Sequence, residues 1–157
     1  MKPLSSIHRF AIRQFLRYSR ITRGLTIGVR AVVFDGDRVF LVRHSYVPGW
    51  YLPGGGVEPG ETAVEALVRE LDEEAGLLPD GPPELFGLYL NRSLSTRDHV
   101  ALFVCRNWTR LREPSVPNSE ILECGFFPLA ALPETTTDAT RRRLAEIRGD
   151  ADRSPDW

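Results

Sequence analysis

A chain of 157 residues, 42% hydrophobic and 26% charged, is sized for one globular domain with a single sizeable core, and its Gly and Pro are too evenly spread for a collagen-like or low-complexity polymer. The longest apolar runs, Ala31 to Phe34 and Ala101 to Cys105, fall far short of the roughly 20 residues that cross a bilayer, so no integral membrane association is expected. The net charge of −1 conceals an asymmetry: residues 1–30 carry seven basic side chains and no acid, while the remainder carries 13 Arg against 21 acidic residues.

A basic arm on an acidic body either meets an anionic partner, such as RNA or a membrane surface, or packs against its own domain, and the body calls for a cation. Two cysteines, Cys105 and Cys124, are too few for a disulfide framework or a thiolate zinc site. The Arg-interrupted N-terminal segment lacks the continuous apolar core of a secretory signal, and a cytoplasmic location is expected.

From Ile7 to Ile21 apolar residues recur at helical intervals with Arg9, Arg13, Arg17 and Arg20 between them, which predicts a basic amphipathic helix within a segment 1–24 that precedes one domain over 25–157. Leu25 to Phe34 and Arg38 to His44 read as two antiparallel strands joined at Asp35-Gly36-Asp37, where Asp-Gly favours a tight hairpin. Ser45 to Glu61 holds three Pro and five Gly and reads as a loop that lets backbones come close. Thr62 to Ala75 has neither residue and predicts a helix stopped by Gly76. After a loop over Leu77 to Glu84, strands are expected at Glu84 to Asn91, His99 to Trp108 and Ile121 to Phe127. A helical turn at Leu129 to Leu132, a helix at Thr136 to Ile147 and a polar tail complete the chain.

On a helical wheel, Glu70, Glu73 and Glu74 share one face with Ala63 and Ala66. Val64, Leu67, Val68, Leu71 and Ala75 form the expected core stripe, and Glu65 and Asp72 face solvent. Glu70 and Glu74 repel at i, i+4 near the negative end of the helix dipole, so a cation is called for. Either the face is simply solvated, or it holds a hard divalent ion such as Mg²⁺, which takes one or two carboxylates and substrate phosphate. The glycines just before it, Gly54, Gly55 and Gly56, admit a phosphate or metal to the backbone and favour the second reading. A P-loop is excluded because Pro59-Gly60-Glu61-Thr62 stands where Gly-Lys-Ser/Thr is required, and a dinucleotide fingerprint is excluded by Pro59 at the third glycine.

The spacing that does fit is Gly55, five residues, Glu61, seven residues, then Arg69-Glu70-Leu71-Asp72-Glu73-Glu74-Ala75-Gly76-Leu77. It resembles a complete Nudix box, G-x₅-E-x₇-R-E-U-x-E-E-x-G-U with U apolar, at all nine specified positions. The resemblance implies an α/β (α+β) fold, an α/β/α sandwich with a mixed β-sheet and the box as a loop–helix–loop beside it. It implies metal binding by Glu70, Glu73, Glu74 and the carbonyl of Gly54, with Mg²⁺ as cofactor and Mn²⁺ as a substitute. Arg69 falls where the family's arginine orders the box carboxylates, and Glu61 where its remaining box glutamate orients the helix entry.

Glu73 or Glu120 is then the general base, Glu123 and Asp98 are alternative acids outside the box, and His44 and His99 alternative bases, each of which reads equally as an ordinary loop acid or packed strand histidine. Arg43, Gly55 and Gly56 are candidates for binding substrate, as is Arg92, and Trp50, Tyr51, Phe86 and Tyr89 are candidates for stacking on a base or for the core. The implied activity is a pyrophosphohydrolase acting on a nucleoside diphosphate linked to another moiety. The alternative is a non-catalytic Nudix-fold nucleotide sensor. Residues 92–95 are Arg-Ser-Leu-Ser and lack the Pro or Tyr that some subfamilies place after the box, which leaves a nucleoside triphosphate, a nucleotide sugar or a capped RNA end open. A homodimer is compatible with the family.

Overall fold

The computed structural model describes residues 14–16, 18–19 and 23–157. Most of the helix expected over 7–21 lies outside the described residues; 14–16 and 18–19 are helical. The chain then enters two apolar strands, β1 (Thr26–Asp35) and β2 (Arg38–His44). They are joined by a two-residue turn, Gly36-Asp37, in which Gly36 at the first position takes φ 61°, a conformation that favours glycine.

Two further long strands, β4 (Glu84–Leu90) and β5 (Asp98–Cys105), and the last strand, β7 (Ile121–Pro128), complete a five-stranded sheet in the order β4-β5-β1-β2-β7. β1 runs parallel to β5, and the other neighbours are antiparallel. Alternation along the strands splits the core in two. Val29, Ala31, Val33, Phe40, Val42 and Phe103 point to one face, beneath Leu67 and Leu71 of helix α1 (Ala63–Ala75). Val32, Phe34, Val39, Leu41 and Leu102 point to the other, beneath Leu144 of helix α2 (Asp138–Arg148). The expected mixed sheet between helices is the fold the chain adopts.

Both helices are bounded by their own sequence signals. Thr62 caps α1 in a reciprocal box with Glu65, and Gly76 closes it at φ 62°. Thr137 caps α2 and Gly149 ends it in the same left-handed conformation. Two elements depart from the sequence reading. The expected loop after Gly76 contains β3 (Leu77–Pro79), and the strand expected to run to Trp108 stops at Cys105 and restarts as β6 (Trp108–Arg110), which pairs with β3 in a separate ribbon. Two three-residue strands are too short to show alternation, and only their pairing defines them.

On the α2 face, Arg143 is fully buried. Its guanidinium donates to Glu146 Oε1 at 2.6 Å and to the carbonyl of Asp156 at 2.7 Å, and it lies over the Tyr89 ring at 4.3 Å. Glu146 also accepts from the Tyr89 hydroxyl at 2.9 Å and from the Ser154 amide at 3.0 Å. Burial and the Glu146 carboxylate push the Tyr89 phenol up to about 12. Removing one member of a buried pair leaves the other charge without compensation. Glu146→Ala is therefore expected to cost about 3–5 kcal/mol in urea denaturation, whereas truncating the exposed Glu113, whose partner Arg110 lies 3.4 Å away at the surface, is expected to cost under about 1 kcal/mol.

Candidate active site

β1 and β2 pair beside their turn and then separate, and the glycine-rich segment fills the gap. The amides of Val29 and Ala31 donate to the carbonyls of Gly55 and Pro53 at 2.8 and 2.9 Å, Val57 donates to Ile27 at 2.9 Å, and Val42 and Tyr51 exchange a pair of bonds at 2.9 Å. Residues 51–57 thus serve as extra backbone for both strands. Gly54 sits at the centre with φ 137°, and a Cβ there would overlap the carbonyl oxygen of Val29. At Gly55 a Cβ would overlap the Glu70 carboxylate, so this glycine lets the first helix carboxylate lie against the loop.

The inserted loop changes which face of α1 is buried. Val64, expected in the core stripe, is exposed, and Glu74, expected on a polar face, is buried to 7% exposure beside Leu71 and Ala75. The wheel placed the carboxylates apart from the core because it has no knowledge of what covers them. Here the loop backbone covers Glu74: its Oε2 accepts from the Gly54 amide at 2.8 Å, and its Oε1 lies 3.9 Å from His44 Nδ1. His44 is itself buried, neither ring nitrogen has a hydrogen-bond partner among the described residues, and burial followed by the charge of Arg30 holds its pKa below the usual value. Burial pushes Glu74 up to about 7, against the Gly54 hydrogen bond and the attraction of Arg30, and the charges of Glu70 and Glu120 add to the rise.

Arg69 organises the remaining box acids. Its Nε and one terminal nitrogen grip Glu61 at 2.9 and 3.1 Å, another donates to Glu70 at 2.7 Å and lies 3.6 Å from Glu73, and the carbonyl of Gly56 accepts at 3.1 Å. These bonds, the Glu61 pair first, hold the guanidinium above its usual pKa and Glu61 below its own. Glu73 points outward with 59% of its side chain exposed. Glu120 lies at the entry to β7, where its carbonyl accepts from the Ser45 amide, and it is near enough to raise Glu74. Among the described residues no three His, Cys, Asp or Glu side chains form a ready-made metal cage.

The remaining candidates divide between the site and the scaffold. Arg43 pairs with Glu123 across β2 and β7 at 3.0 Å, on the rim of a cavity of about 460 Å³ that also includes His44 and Tyr46. Arg92 pairs with Asp156 at 2.7 Å. Asp98 is buried, accepting from Thr26 at 2.6 Å and Asn91 at 2.9 Å, and His99 lies beside it on β5. Trp50 and Tyr89 are core residues, Phe86 lies beneath the Arg153 guanidinium, and Tyr51 lines a second cavity.

Three residues escaped the sequence reading. Arg30 interrupts an apolar strand and was counted with the basic arm, yet its guanidinium donates to the carbonyls of Leu52 and Gly54 at 3.0 and 2.6 Å. Its lone charge among Val and Ala was the available signal. Tyr46 stacks obliquely on His44 at 5.1 Å, with its phenol raised by burial and by Glu74. Trp157, in the polar tail, shares with Arg30 and Tyr51 the lining of the second cavity, of about 390 Å³.

The NUDIX domain profile matches residues 24–146. An RNA pyrophosphohydrolase of Legionella pneumophila is 48% identical over 63 residues, covering 40% of this chain and 35% of the relative. An ADP-ribose pyrophosphatase of Methanocaldococcus jannaschii is 37% identical over 81 residues, covering 50% of this chain and 47% of the relative. The chain thus spans between a third and a half of the length of these curated relatives. Among solved structures, a MutT NUDIX hydrolase from Burkholderia pseudomallei superimposes with a TM-score of 0.67 at 25% identity, covering 78% of this chain and 97% of that one. A NUDIX hydrolase from Nitrosomonas europaea shares the fold at a TM-score of 0.65 and 22% identity, covering 80% and 90% of the two chains. The match extends over most of the chain and includes every specified position of the box, so this protein belongs to the NUDIX domain family.

Proposed function

We propose that this protein hydrolyses a diphosphate linkage in a nucleoside diphosphate joined to a second moiety, with Mg²⁺ or Mn²⁺ at the box carboxylates. The observation that carries this reading is Glu74, a carboxylate sealed into the core whose one ion-pair neighbour among the described residues is a buried histidine kept neutral. Such a group is costly to ionise without a cation, and a cation restores its charge. The donor set is all oxygen, from Glu70, Glu73, Glu74 and the Gly54 carbonyl, and suits a hard divalent ion completed by water and phosphate. When bound, that ion neutralises the diphosphate and lowers the pKa of the attacking water.

The chain supplies the rest. Arg69 fixes Glu61 and Glu70, Arg30 holds the Gly54 carbonyl in place, and Gly55 keeps the approach to Glu70 open. Glu73 and Glu120 are the carboxylates we assign to take the proton from water as it attacks phosphorus and the anhydride P–O bond breaks. Two cavities flank the centre, one through His44 and one through Arg30, which accords with a substrate that extends on both sides of its diphosphate.

Phosphate release, coupled to auxiliary phosphatases over a panel of nucleotides and nucleotide conjugates, is expected to require Mg²⁺ or Mn²⁺ and to fall on the order of 100-fold or more in Glu74→Gln. Turnover that ignores metal or survives this change overturns the assignment.

The raised pKa of Glu74 also sets a stability difference. Between the ordinary carboxylate value of 4.5 and about 7 the folded state holds a proton that the unfolded chain has released, so metal-free stability is lost as pH rises through this window. Comparison with Glu74→Gln isolates the effect from His44, whose depressed pKa acts in the opposite direction below its ordinary value of 6.5. From pH 5 to pH 8 in chelator, Glu74→Gln is expected to gain up to about 3 kcal/mol relative to the parent in denaturant titrations. Mg²⁺ is expected to raise the melting temperature of the parent more at pH 8 than at pH 6.

A further inference from the structure

The cavity at Arg30 has a wall that comes from the far end of the chain. Residues after α2 run back along the edge of β4: Leu90 donates to the carbonyl of Pro155 at 2.9 Å, and Trp157 donates to that of Leu90 at 3.0 Å. Asp156 is held twice, through its carboxylate by Arg92 at 2.7 Å and through its carbonyl by the buried Arg143 at 2.7 Å. The carbonyl of Trp157 accepts from Arg142 at 3.0 Å. The indole meets the Tyr89 ring edge-on, 5.6 Å between centroids, and the Arg143 guanidinium lies 5.5 Å from its centre. A large ring whose main chain is anchored, and which meets one aromatic ring and a buried cation, loses little entropy when a flat ligand packs on its remaining surface.

That remaining surface lines the same cavity as Arg30, whose guanidinium bonds the Gly54 carbonyl next to Glu74. A ligand with a phosphate at the Arg30 end therefore has its attached group beside the indole. We propose that Trp157 is a substrate-binding residue that stacks on the heterocyclic base of a nucleotide, with Arg143 as its positioning residue, so that the C-terminal segment favours substrates carrying an aromatic base. This rests on the reading of the centre as a nucleotide site, but its test does not need turnover.

Binding of AMP, GMP and inorganic pyrophosphate to the full chain is measured by calorimetry in the parent, Trp157→Phe and Trp157→Ala, with thermal melts alongside. The two nucleotides are expected to bind about ten-fold or more weakly to Trp157→Ala and at an intermediate level to Trp157→Phe, with pyrophosphate binding unchanged. The nucleotides are also expected to quench tryptophan fluorescence in the parent and not in Trp157→Phe. If both variants bind AMP and GMP as the parent does, if nucleotide and pyrophosphate binding fall together, or if the parent binds neither nucleotide, the proposal is overturned. Should Trp157→Ala fail to fold, the intermediate affinity and lost quenching of the folded Trp157→Phe decide the matter. Base-dependent binding in a protein that hydrolyses nothing would leave the stacking role standing and remove the hydrolase reading.

Discussion

The buried hydrogen bond from the Gly54 amide to Glu74 ties the two halves of the site together. The Gly54 N–H that bonds Glu74 belongs to a loop wedged between β1 and β2, and Glu74 belongs to a helix packed on one face of that sheet. The loop can enter the gap because β1 and β2 pair only beside their turn, leaving the amides of Val29 and Ala31 and the edge of Val42 in need of partners. Residues 51–57 satisfy them, and the same segment covers the Glu74 carboxylate. Sheet hydrogen bonding and site electrostatics are therefore set by one piece of chain.

Two arginines with different surroundings divide the electrostatic work. Arg69 is half-exposed and forks onto Glu61 while reaching Glu70, which arranges acids that would otherwise repel one another along the last turns of α1. Among the described residues Arg30 has no carboxylate within ion-pair distance, and it spends its donors on the carbonyls of Leu52 and Gly54, which fixes the loop and places a positive charge near Glu74 and His44. Burial and these fixed charges together hold the Glu74 carboxyl above the usual carboxylate range.

The opposite face of the sheet holds a second buried charge cluster, built from Arg143, Glu146 and Tyr89. Its chemistry differs because each charge has its counter-charge in place: Glu146 is saturated by Arg143, the Tyr89 hydroxyl and the Ser154 amide. This charge-paired cluster pins the C-terminal segment to β4 and α2, whereas Glu74 has a buried, uncharged His44 as its ion-pair neighbour among the described residues.

The sequence by itself determined the long elements and the family. Apolar runs marked the long strands, Thr62, Gly76 and the residues between them marked α1, and the spacing from Gly55 to Leu77 identified the family, because each of these is a local pattern carried by nearby residues. Only the tertiary structure decided burial and partnership. It put Glu74 in the core and left Val64 exposed, paired β3 with β6, and turned Arg30 and Trp157 into walls of one cavity although 127 positions separate them in the chain. The physical reason is that a periodic pattern reports which side of an element is apolar, whereas the cost of an ionised carboxylate and the neighbours of a ring depend on which distant backbone is laid over them.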